Sequence, residues 1–141
     1  MVRAPCNPRR CETETMKKSK ASADSALGNR LQPVNQYLEK NFPEFFAEAR
    51  FHCGNDDFFL YSRFGQYLVR SIESDRVPRH KINRAFTVLN KMARVSARDP
   101  AVRRMLVTGP LEALVDRPAA CALARKRLSG LAQGYLESLR E

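Results

Sequence analysis

Acidic charge is in short supply in this chain. Its 141 residues hold 15 Asp and Glu against 25 Lys and Arg, a formal net charge of +10 at pH 7. So basic a balance favours acidic partners: nucleic acid, anionic lipid or an acidic protein surface. Long apolar runs are missing as well. No window approaches the ~18 consecutive apolar residues of a membrane-spanning helix, so no membrane partner is expected. The basic start, MVRAPCNPRRCETETMKKSKASADSA, has no apolar run behind it. It is not expected to act as a secretory signal, and the expected compartment is the cytoplasm.

Cysteine is sparse and badly spaced for chemistry. Cys6, Cys11, Cys53 and Cys121 include no C-x-x-C pair of the zinc or redox kind. Cys53 and Cys121 are expected as plain thiols in or near the core. The P-loop, the dinucleotide glycine pattern, H-E-x-x-H and G-x-S-x-G are all missing. No metal, no cofactor and no enzymatic activity are expected. His52 and Cys53 are adjacent, but sequence neighbours on a helix do not face each other. A helix end before Gly54 explains them better. His80 lies among Arg and Lys and is expected to be exposed. Asp56 and Asp57 are expected to cap a helix. Glu112 is expected to be a partly buried acid paired with an Arg.

What the chain does have is helical periodicity. Residues 1–29 read as a disordered basic tail, with Met16 a second candidate start and a Lys-Lys-Ser-Lys cluster after it. Residues 30–141 read as one helical domain, long enough and apolar enough (43% hydrophobic) for its own core. Leu31, Val34, Tyr37, Leu38 and Phe42 recur at helical spacing. Pro43 ends that run and opens a short helix. A third helix offers Phe58, Phe59, Tyr61, Phe64, Leu68 and Ile72 for burial, and Gly65 inside it implies close approach by a neighbour. A fourth begins near Pro78. Asp99-Pro100 caps a fifth, which Gly109-Pro110 should kink or break. Pro118 opens one last helix with Leu123, Leu128, Leu131, Tyr135 and Leu139 as its stripe. No segment alternates with period two. The expected fold is all-α, a compact bundle of five to six helices with short turns; a short HEAT-like helical solenoid is the alternative.

Between Arg76 and Arg104 stand nine Lys or Arg and a single acid, Asp99, so this segment alone carries +8 of the chain's +10. At 100° per residue, Ile82, Ala85, Phe86, Leu89, Met92 and Ala93 share one arc, while Lys81, Arg84, Lys91, Arg94 and Arg98 lie opposite. Guanidinium groups suit bidentate contact with carboxylate or phosphate. An amphipathic helix also needs a polar side, so a merely solvated face fits the same residues. The turn VSARDP contains no glycine, and the helix after it is largely apolar, which argues against a DNA-reading helix-turn-helix. Aromatic RNA platforms need strands, and none is expected.

The stretches NFPEF, INRAFTVLNKMA and DPAVRRMLVTGPLEALVD together resemble a family of small bacterial all-helical domains without assigned activity, some of them similar to immunity-type proteins. The likeness covers about residues 34–140 and departs from the pattern at Gly109-Pro110, where an unbroken helix would stand. It implies an all-α fold and protein binding, with no catalytic residues to carry over. The expected function is therefore a non-enzymatic interaction or immunity-like protein. It would dock an acidic protein through Lys81, Arg84, Lys91, Arg94 and Arg98. The alternative is a nucleic-acid-associated protein using the same face and the tail.

Overall fold

The computed structural model describes the backbone of residues 18–140 and the side chains of residues 30–140. The expectations for Cys6, Cys11 and Met16, and for most of the tail, fall outside the described residues. The backbone is helical from Lys18, within the segment read as tail, and α1 runs Lys18–Asn41. Contacts divide the chain into residues 1–32 and residues 33–141. The division falls at Pro33, where the helix ladder loses one donor. Of the first unit, the helical backbone of residues 18–32 is described.

The second unit is all-helical. After the rest of α1 come α2 (Pro43–Cys53), α3 (Asp57–Ser74), α4 (Arg79–Ser96) and α5 (Pro100–Leu106). A π-helical turn (Val107–Leu111) leads into α6 (Glu112–Val115), followed by α7 (Pro118–Arg127) and α8 (Gly130–Arg140). No strand occurs among the described residues. Prolines open α2, α5 and α7, where a missing N–H costs nothing. Asp56 caps α3 by accepting from the Phe59 N–H at 3.3 Å, and Asp99 caps α5 by accepting from the Ala101 N–H at 3.1 Å. Gly54, in the left-handed region (φ 61°), stops α2 just after His52 and Cys53.

Helix α3 is the hub. It packs on α2, α4, α5, α6, α7 and the π turn. Its Leu60, Tyr61, Phe64 and Leu68 are buried with Phe86, Leu89 and Met92 of α4 and Leu106, Leu111 and Leu114 beyond it. Each such side chain removed from water contributes about 1.5–3 kcal/mol before conformational entropy is counted. Gly65 does have a close neighbour. A Cβ there would stand 2.6 Å from the Pro110 Cα. Across the same crossing, a Cβ on Gly109 would stand 3.3 Å from the Ser62 Oγ. The Gly109-Pro110 interruption is therefore a buried π turn, pressed backbone to backbone on α3. Proline removes one rung, and the wider turn absorbs the extra residue.

Three expectations need correction. The last helix is two: Leu128 turns extended (ψ 151°) and Gly130 starts α8 at φ 55°. Asn90 of α4 holds the break, its Oδ1 accepting from the Ser129 N–H at 3.1 Å and its Nδ2 donating to the Arg127 carbonyl at 3.5 Å. The break resets the buried stripe to Ala120, Ala124, Leu128, Ala132 and Leu136, and Leu131 is exposed. Phe58 and Phe59 are exposed because they lie in the capped first turn of α3, ahead of the buried stretch that begins at Leu60. Glu112 is exposed and makes no ion pair among the described residues, because it opens α6 beside the buried Leu111 on the solvent side.

Candidate functional site

One side of α4 builds the core. Ala85, Phe86, Val88, Leu89, Met92, Ala93 and Ser96 are buried. The helix must then present its remaining positions outward, and those carry the charge. Arg84, Lys91 and Arg94 are spaced seven and three apart, which keeps them within about 80° of arc, and Arg98 follows in the turn after the helix. From Arg84 to Arg94 the stripe runs about 15 Å along the helix. Arg84, Arg94 and Arg98 are exposed, the last in the turn after α4, and Lys91 is half-buried.

The five residues expected on this face are not equivalent. The Lys81 ammonium turns inward. It donates to the Asn41 carbonyl at 3.1 Å and lies 5.3 Å from the centre of the Phe42 ring. There it borders an open cleft of about 420 Å³ walled by Phe42, Phe45 and Tyr67, with Glu44 and Glu48 at its edge. The Lys91 ammonium lies 4.8 Å over the Tyr37 ring. Both lysines thus brace the second half of α1 against α4 as well as carrying charge. Arg84 and Arg94 make no ion pair among the described residues.

Four ion pairs lie off this face. Arg50 meets Asp57 at 2.7 Å across the α2–α3 corner, and Arg117 grips Glu73 through two bonds of 2.7 and 2.9 Å. Glu137 accepts from Arg140 and Arg125. The hydrogen bond from Arg140, with Arg125 adding to it, holds the Glu137 carboxyl below its usual range. The Glu73 carboxylate holds Arg117 above its own. One buried polar pair crosses the core: the Tyr61 hydroxyl donates to Asn35 Oδ1 at 2.5 Å. Burial, with Asp57 adding to it, pushes the Tyr61 phenol far above its ordinary value, so it stays a donor.

His52 and His80 are exposed, and Cys53 and Cys121 are free, half-buried thiols. Among the described residues no group of three or more His, Cys, Asp or Glu is placed to hold a metal. No described helix is long and apolar enough to cross a membrane.

Two features escaped the sequence reading. Phe51, Phe58 and Phe59 are exposed at the α2–α3 corner. Arg103 and Arg104, counted there only as charge, line a second cleft of about 390 Å³ with Tyr135 of α8. Helical spacing marked Tyr135 as a core residue; nothing local in the sequence brings it to α5.

No family model, no curated protein and no solved structure matches this chain.

Proposed function

We propose that this protein is a non-enzymatic binding protein that docks an acidic partner protein through the exposed stripe of α4. The partner contacts would come from Arg84, Arg94 and Arg98, with Lys91 at the margin. Lys81 contributes mainly to the fold. The observation that carries this reading is the stripe itself. It holds three cations and no acid on one arc of a helix whose other side is committed to the core, with Arg98 in the turn that follows. The loose resemblance to bacterial immunity-type proteins points the same way, and a cytoplasmic location for the chain is part of the same proposal. Exposed guanidinium groups in register suit carboxylates presented by a helix or loop of the partner.

The test is capture of partners by the full chain from its native lysate, with and without nuclease, beside the variant R84E/R94E. A stoichiometric acidic protein that resists nuclease and is lost by the variant supports the reading. Capture that disappears with nuclease makes the stripe a phosphate track instead, with affinity falling steeply as salt rises. Equal capture by both forms removes α4 from the interface.

A further inference from the structure

The cleft between α5, the π turn and α8 has an unusual make-up. Its polar lining is Arg103, Arg104, Thr108, Tyr135 and Ser138, and among the described residues no carboxylate lines it. Val107 and Leu139 give it apolar walls. Its volume, about 390 Å³, suits a small organic molecule. Among the described residues neither guanidinium enters an ion pair: those pairs use Arg50, Arg117, Arg125 and Arg140. Arg103 is held all the same. Its Cζ lies 5.3 Å from the centre of the Tyr135 ring, and the Tyr135 hydroxyl is fixed at 2.9 Å from Ser96 Oγ. A ring contact orients a guanidinium without occupying its N–H donors. The Thr108 and Ser138 hydroxyls have no hydrogen-bond partner among the described residues.

We propose that this cleft is a binding site for a phosphate monoester carried on a ring or short apolar body. Charge decides for phosphate over carboxylate. The cleft presents two cations, which a monoester of about −1.5 to −2 charge balances and a single carboxylate does not. Two guanidinium groups and two hydroxyls also supply donors for three phosphate oxygens, more than a carboxylate accepts. The apolar walls take the body of the ester. The site is separate from the α4 stripe, so it stands or falls independently of the docking reading.

The experiment is an NMR titration of the ¹⁵N-labelled full chain with phenyl phosphate, benzoate and inorganic phosphate. Phenyl phosphate is expected to saturate, with shifts centred on residues 100–108 and 135–139, and to bind about tenfold or more tightly than benzoate. Arg103→Gln and Arg104→Gln should each weaken it about tenfold while keeping a folded spectrum. Arg84→Gln should leave it unchanged. Shifts spread equally over α4, equal binding of benzoate, or no saturation would overturn the proposal. Inorganic phosphate binding as tightly as phenyl phosphate would remove the apolar body from it.

Discussion

Replacing Gly65 with alanine should destabilise this protein, against the ordinary preference of helices for alanine. In an isolated helix interior the change gains about 1 kcal/mol. Here the new Cβ would lie 2.6 Å from the Pro110 Cα and 3.3 Å from its nitrogen. Ordinary contact needs nearly 1 Å more. The obstructing atoms are backbone in a buried π turn, so no rotamer change relieves the clash, and α3 must move away from the turn. Overpacking of a tight core costs about 1–3 kcal/mol. The backbone clash places Gly65 toward the upper end, leaving a net loss of about 1–2 kcal/mol. Gly109→Ala should cost less, because its closest obstacle at 3.3 Å is the Ser62 hydroxyl, which rotates away.

Gly134 supplies the control. It sits within α8, and a Cβ there would meet nothing within 4 Å. Gly134→Ala should therefore stabilise by about 0.5–1 kcal/mol. Urea unfolding of the three forms checks both signs. With a slope of about 2 kcal/mol/M, the Gly65→Ala midpoint should fall by roughly 0.5–1 M, while Gly134→Ala moves the other way. A Gly65→Ala midpoint at or above the parent's, with Gly134→Ala raised as expected, would refute the claimed contact between α3 and the π turn.

Tyr61→Phe should cost about 1–3 kcal/mol in urea unfolding, since it strands the buried Asn35 oxygen. The double change Tyr61→Phe, Asn35→Leu should recover part of that loss. Asp56→Ala should lower stability by about 1 kcal/mol by removing the α3 cap, readable as a lower melting temperature. The Glu137 carboxyl is held below its ordinary value near 4.5, chiefly by Arg140. Its contribution is fully present above that value and is lost as pH falls through the lowered one. Glu137→Gln should therefore flatten the decline of stability on acidification below about pH 4.5; an unchanged slope would show the pair to be idle.

Helix type and most boundaries were legible because they rest on local signals. Pro43, Pro100 and Pro118 mark helix starts, Asp56 and Asp99 mark caps, and the spacing of Ala85, Phe86, Leu89, Met92 and Ala93 marks a buried side. Gly65 announced a close neighbour without naming it. The neighbour is 45 residues away at Pro110, and only tertiary contact reveals it. The α7–α8 break was hidden for the same reason. Leu128 and Ser129 read as helix, but Asn90 satisfies the freed backbone groups from another element. Choosing leucines over alanines then misplaced the stripe, since Ala120, Ala124 and Ala132 are buried while Leu131 is exposed. The stripe on α4 was legible as charge. That Lys81 turns inward was not, because Asn41 and Phe42 come from a distant segment. The Arg103–Tyr135 cleft could not be read at all without the fold.

If the α4 stripe exists for a partner, removing it should leave the fold alone, and the magnitudes allow that to be checked before any partner is known. Arg and Glu are comparable helix formers, and both positions are exposed. Reversing Arg94 places an acid in the last turn of α4, which costs about 0.3–1 kcal/mol against the helix dipole. Opposing this, R84E/R94E replaces two positive charges with two negative ones and lowers the net charge of +10 by four, which relieves self-repulsion. The two terms are opposite in sign and the dipole term is at most about 1 kcal/mol, so unfolding free energy should fall by less than about 1 kcal/mol. Stability falling by several kcal/mol would mean the arginines hold the bundle together, and the docking reading would lose its footing. Stability that holds while partner capture is lost separates the two roles cleanly: a fold maintained by α3 and its neighbours, and a charged face kept for something outside it.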